Sequence, residues 1–509
     1  MAQPTLAELT AAAAAAEDPG FTPASVPRFG GVDPLGLRQI NFDLMDEVFP
    51  GLNNVARHVR PFVVITWAWR RANQLAQARG TTHIRQGELQ DFVDRIEVLY
   101  VASQVLRDPD ADLPGSQYLV PLLRESEFKF GGPGWQQRRK ARRYSTALSA
   151  PINYGPGLKM LGWVHRHPGY PDVMVPDPVA TPALDAFEAQ ISDLLDHEAF
   201  ASFGSVTVAR DEARAWADRW SLDKVTEAEA GVMRALLLGP SAPHGRRSGC
   251  ELMLLASVHT ADTSADQIRR TMAGSPSDFF PPAHLLEIRD AWRRVQVRQL
   301  FRLSLEALFY WTLINLEGTS RSMNALVSAF LDEVPSPNGR TTGEWVGSLP
   351  PPDVGPTELI RRIRQALDAP AAGDLVLSIV TGLGFCLTDV LKAESHTARP
   401  DRLPLSRARQ EAVARAHVPV AEFLHHVLES WVLAQHAYWS VGRGLADARA
   451  RGRILLRLKI ILDEGGWTLT PGVSRGNPPR PTADRLQTAI SLASECGLFR
   501  QLEKRRPPG

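Results

Sequence analysis

Apolar and polar positions alternate along this chain with a helical period for most of its length, and the pattern sharpens first at Phe62–Leu75. There Phe62–Trp69 carries no charge and includes two tryptophans, with Arg57, Arg60, Arg70 and Arg71 on either side. Apolar residues on every face predict a buried helix. Pro61 suits its first turn, where the missing N–H costs nothing, and Gly80 can stop it. Arg57 and Arg60 are expected to pair with Asp43, Asp46 or Glu47, or to face a ligand. A second helix is predicted over about 86–106, with Leu89, Phe92, Val93, Ile96 and Leu99 at helical spacing. Further helices are predicted as short pieces over 183–275, as a long one over 281–316, and over 357–368, 374–394, 406–415 and 418–449.

Breakers divide these segments. The stretch RDPDADLPG interrupts after the second helix, the text from Pro168 to Pro182 has linker composition, and 334–356 reads as a loop. Between the first two breaks, a basic helix from Gly134, a turn at Tyr154-Gly155-Pro156-Gly157 and a short apolar end near Val164 resemble a winged-helix unit. A Gly-Gly turn and a helix starting near Thr482 suggest a second such unit at 455–500. The expected class is therefore mainly α: a multi-domain helical protein with short β-hairpins and winged-helix-like units near 134–164 and 455–500. Its expected segments are a tail at 1–30, an N-terminal domain at 31–170, a middle helical region at 171–280, a C-terminal helical domain at 281–450 and a small unit at 451–509. At 509 residues the chain is long enough for more than one core, since single cores stop growing near roughly 250–300 residues.

Charge changes the picture only locally. The formal net charge is +1, so no whole-molecule attraction to nucleic acid exists. The exception is Arg138, Arg139, Lys140, Arg142 and Arg143, flanked by Trp135 and Tyr144. Such a run can neutralise phosphates and stack a base, or form a solvated helix face. Arg294, Arg298 and Arg302 recur every fourth residue and predict a solvated stripe, with a binding row as the alternative. Cys250, Cys386 and Cys496 are widely separated and show no metal or disulfide spacing, as expected in a reducing cytoplasm. No signal-like or membrane-spanning segment is expected.

Two sets of residues have the types, but not the complete pattern, of a metal site. Asp110, Glu127 and Lys129 resemble the carboxylate–carboxylate–lysine arrangement of metal-dependent nucleases, with Mg²⁺ held by the acids and water positioned by the lysine. Glu422, His425, Glu429 and His436 fall on one face of an ideal helix, and Glu422-x-x-His425 has the spacing of di-iron bundles; no second copy accompanies it. Asp108, Asp110 and Asp112 begin like a calcium loop, but Leu113 stands where glycine is required. No phosphate loop, complete dinucleotide fingerprint or serine elbow is present, and no cofactor is expected.

Three stretches, VFPGLNNVARHVRPFVVITWAW, YSTALSAPINYGPGLKMLGWV and VTVARDEARAWADRW, lie in that order over the first half. Together they resemble a bacterial protein family encoded near helicases and phospholipase-D-type nucleases in anti-phage defence loci. The resemblance implies a cytoplasmic defence-associated subunit; the function expected for the chain is a non-enzymatic component that binds nucleic acid and/or a partner protein such as a helicase or nuclease. A metal-dependent nuclease and a helical metal-binding scaffold remain the alternatives.

Overall fold

The computed structural model describes residues 33–499 except 80–85, 120, 143–146, 151–152, 261–263, 275–278, 335–338, 350–353, 369–373, 390–399 and 443–457. The chain is mainly helical, with short two-stranded antiparallel sheets. Among the described residues it divides into two compact bodies: an N-terminal body within 45–268, 281–288 and 483–499, and a C-terminal body within 33–44, 269–280 and 289–482.

Helix α1 (Arg38–Val48) leads into α2 (Val59–Ala78), the predicted apolar helix. Its residues from Val59 to Trp69 are all buried, as an all-round apolar pattern requires. Phe62 meets Tyr154 edge-on at 4.8 Å between ring centroids and stacks on Trp163 at 6.0 Å. Trp67 meets Phe187 at 5.6 Å and donates its indole N–H to Glu188 at 2.8 Å, so the one polar atom of a buried tryptophan is satisfied. Helix α3 (Gln86–Arg107) places Tyr100 against Trp220. Then come β1 (Glu127–Phe130), α4 (Gly132–Arg142), α5 (Tyr154–Leu161), β2 (Val164–His167), β3 (Tyr170–Pro176), α6 (Thr181–Gln190), β4 (Val206–Ala209), α7 (Arg210–Trp220), α8 (Glu227–Leu238) and α9 (His244–Thr260).

Two expectations here are corrected. Tyr154-Gly155-Pro156-Gly157 opens α5 instead of making a turn, because proline is tolerated in a first helical turn. The expected linker at 168–182 contains strand β3, which pairs with β2. Strand β1 pairs with the distant β4, Phe130 opposite Val206, and not with the β2–β3 hairpin. The strand entering the basic helix therefore lies outside the β2–β3 hairpin.

In the C-terminal body, α10 (Leu286–Asn315) supplies the central apolar ridge from its residues after Ile288. Around it pack α11 (Met323–Glu333), α12 (Pro356–Asp368), α13 (Asp374–Thr388), α14 (Leu405–Ala414) and α15 (Val420–His426). Helix α15 continues as a π-helix over Val427–Ala434 and returns to α-helix over 435–442. A hairpin, β5 (Ile460–Asp463) with β6 (Gly466–Leu469), closes this body; α16 (Leu486–Glu495) belongs to the N-terminal one. The hairpin and helix expected to form one unit at 455–500 are thus parts of different bodies.

Candidate nucleic-acid interface

The basic run begins where β1 ends. Gly131 and Gly132 both have positive φ, at 80° and 74°, a conformation that side chains resist. At Gly131 a Cβ would also lie 2.7 Å from Ser205 backbone, so the chain turns tightly out of the sheet and into α4. Trp135, in the first turn of α4, is buried and meets Phe130 edge-on at 4.9 Å. It fastens the helix to its own strand and cannot also stack a base, which corrects the expectation for Trp135. Arg138, Arg139, Lys140 and Arg142 lie on the later turns of α4, their side chains outside the described residues. Arg143 and Tyr144 lie outside the described residues altogether.

The nuclease-like set is not assembled. Asp110 sits in an exposed turn, and its backbone N–H contacts the Asp108 carboxylate at 3.1 Å. Glu127 and Lys129 point to the same side of β1 and pair with each other at 2.7 Å. The strand beside them is β4, which offers Thr207 and Ala209. Two carboxylates on adjacent strands, the arrangement metal-assisted cleavage needs, are absent there.

The second metal set separates as well. His425 contacts Glu429 at 3.6 Å, but His436 is buried elsewhere. Its Nδ1 donates to the Pro34 carbonyl at 2.9 Å and its Nε2 accepts from the Lys459 backbone at 3.0 Å. The intervening i→i+5 turns change the rotation per residue, so a face drawn at an ideal 100° does not survive across 427–434. Among the described residues no three His, Cys, Asp or Glu side chains converge to hold a metal. The chemistry of this helix lies one residue over, at His426, which the sequence pattern did not single out. Glu411 accepts from His426 Nε2 at 2.8 Å, Trp431 Nε1 at 2.7 Å and Arg407 Nε at 2.7 Å. Burial alone would raise its carboxyl; the hydrogen bonds outweigh it and hold Glu411 at about 2.

Arginines account for the other corrections. Arg60 pairs with none of Asp43, Asp46 or Glu47; it is fully buried, 3.0 Å from Glu229 and 2.7 Å from Gln190. Burial pulls its guanidinium down and pushes Glu229 up. Arg57 pairs with Asp112 at 3.4 Å. Arg298 and Arg302 are buried and not a solvated stripe: Arg302 meets Glu306 at 2.5 Å, and Arg298 donates to the Leu403 carbonyl at 2.8 Å. The partners of Arg60 and Arg298 lie far away in sequence, so spacing along one helix could not reveal them.

A cleft of about 640 Å³ opens in the N-terminal body beside His58, Thr226, Glu227, Arg234 and Glu495. Its charges are already used. Glu495 accepts from His58 Nδ1 at 2.6 Å and from the Val59 N–H at 2.7 Å, capping the start of α2, while Arg234 pairs with Glu227. No helix among the described residues is long and apolar enough to cross a membrane. No known family model, characterised protein or solved structure matches the chain.

Proposed function

We propose that this protein is a non-enzymatic component of a bacterial anti-phage defence system that engages nucleic acid through α4. The observation that carries the reading is the concentration of four cationic residues on the later turns of a helix whose first turn is fixed to strand β1 by Trp135. A rigid base lowers the entropic cost of presenting a charged helix to a polyanion. In a chain of formal charge +1, attraction to phosphate has to come from local patches, and this run is a dense one. Phosphate contacts position a protein without reading sequence, so weak sequence preference is expected. The locus association implied by the sequence resemblance adds a helicase or nuclease as the protein partner.

Electrophoretic mobility and anisotropy assays test this directly. Affinity for duplex DNA falls steeply with salt, with a log–log slope near −0.9 per neutralised phosphate. Replacing Arg138, Arg139 and Arg142 together by glutamate lowers affinity by more than about tenfold, since several phosphate contacts are lost and reversed, while the circular dichroism and melting profile stay unchanged. A folded triple variant that binds DNA and RNA like the parent defeats the assignment, as does a parent that binds neither at low salt. Plaque counts on cells with and without the gene in its intact locus test the defence role separately.

A further inference from the structure

Residues Asp33–Leu37, of sequence Asp-Pro-Leu-Gly-Leu, form a turn that sits in the C-terminal body as a ligand sits in a receptor. Five consecutive backbone carbonyls each accept a hydrogen bond from a different side chain. Trp439 Nε1 donates to Asp33 at 2.9 Å, His436 Nδ1 to Pro34 at 2.9 Å, and Gln435 Nε2 to Leu35 at 2.9 Å. Arg402 Nη1 donates to Gly36 at 3.1 Å and Arg298 Nη2 to Leu37 at 3.4 Å. A connecting segment normally satisfies its carbonyls with its own backbone or with water. Here side chains from helices far along the chain read the main chain residue by residue.

Side chains add selectivity. Leu35 and Leu37 are fully buried in the core cluster of this body and act as the two apolar anchors. Between them Gly36 has φ +71°, and a Cβ there would lie 2.5 Å from the Trp439 indole. Arg402 stacks on the same indole, 3.8 Å from the ring centroid, which fixes the plane that glycine passes under. Asp33 pre-forms the turn by accepting from the Leu37 N–H at 2.8 Å and the Arg38 N–H at 3.3 Å.

The walls are held together by contacts that do not involve the segment. Arg298 also donates to the carbonyls of Leu403 and Arg402, Gln435 to that of Asp401, and His436 Nε2 receives the Lys459 N–H. Arg402 pairs with Asp401 at 3.1 Å. Donors fixed in this way are organised before the carbonyls arrive, which is what distinguishes a binding site from a coincidental loop contact.

We infer that this cradle is a peptide-binding site whose resident ligand is the chain's own residues 33–37, and that it takes the same sequence in trans when the resident is displaced. The intact chain keeps the site filled, because a tethered ligand holds a high effective concentration.

The test uses the full-length Gly36→Val chain, in which the added side chain is driven into Trp439, together with a fluorescent peptide of residues 31–40. Fluorescence anisotropy should show saturable binding of the peptide to the Gly36→Val chain and none to the parent at the same concentration. A peptide carrying Gly36→Val itself should bind at least tenfold more weakly. A folded Gly36→Val chain that ignores the peptide, or that binds both peptides equally, overturns the inference. If that chain does not fold alone, the peptide must restore its cooperative melting transition; failure to do so overturns the inference as well. A chain beginning at Arg38 provides the second variant, with the same expectation and the same two defeating results.

Discussion

At His436 burial sets the direction of a titration. The imidazole is enclosed in the C-terminal body, and burial lowers it from 6.5 to about 4; the Pro34 carbonyl opposes that shift and Lys459 adds to it. The folded chain therefore holds the ring neutral, as the two hydrogen bonds require, with Nδ1 donating and Nε2 accepting. Below pH 6.5 the unfolded chain binds the proton and the folded chain does not. The stabilisation is thus complete above that value and is lost as pH falls through about 4. The shift corresponds to roughly 3–4 kcal/mol at most, at about 1.4 kcal/mol per pH unit. Chemical denaturation at pH 7, 5.5 and 4.5 checks this: the parent should lose stability more steeply than His436→Gln, and parallel losses would contradict the assignment.

Among the elements, helix α9 illustrates how close packing decides a substitution. Gly249 lies against the end of α1, where a Cβ would come 2.4 Å from the Val48 carbonyl oxygen. Alanine gains roughly 1 kcal/mol of helix propensity over glycine. Forcing a methyl into backbone costs about 1–3 kcal/mol or more. Gly249→Ala should therefore lower the melting temperature, and a rise would show that the helices can part freely. The same scale shows what pattern and composition can convey. Helix α2 was legible because its apolar residues leave no polar face and Pro61 marks its first turn. Tyr154-Gly155-Pro156-Gly157 misled because turn-forming residues also open helices, and Gly157 is needed where α5 approaches the Phe62 ring, since a Cβ at that position would lie 3.1 Å from the ring edge. The π segment at 427–434 has no sequence signature, so the apparent face of Glu422 and His436 dissolved with it. Arg298 looked solvated because its carbonyl partner at Leu403 is set by tertiary folding, and Arg302 because its pairing with Glu306 one turn on is the same whether that face is wet or buried. Of the proposed interface, the charge run was legible; the anchoring role of Trp135 required Phe130 and the β1–β4 pairing.

For the molecule as a whole, the three cysteines give a reporter in each body. Cys250 and Cys496 belong to the N-terminal body and Cys386 to the C-terminal one, and all are buried. Burial pushes the Cys250 and Cys496 thiols up to about 12. Only the thiolate reacts readily, so the native chain should resist a thiol reagent, whereas three equivalents should react in denaturant. Trp67→Ala should cost about 3–5 kcal/mol, as large core truncations do. Labelling of Cys250 and Cys496, followed by peptide mass analysis, should accelerate in that variant in proportion to the opened population. Unchanged labelling rates would place Trp67 outside the cooperative core of its body.

The cradle around residues 33–37 also imposes an order in time. Its ligand segment precedes Gln435, His436 and Trp439 by 400 to 406 residues. At a synthesis rate of about 5–20 residues per second, the segment leaves the ribosome roughly 20–80 s before its receivers exist. Leu35 and Leu37, completely enclosed in the finished protein, spend that interval without their burial partners. The C-terminal body closes around this segment only once residues 435–439 have been made, and a nascent chain that stalls before residue 435 carries an uncovered Leu-Gly-Leu sequence for chaperones and proteases to find.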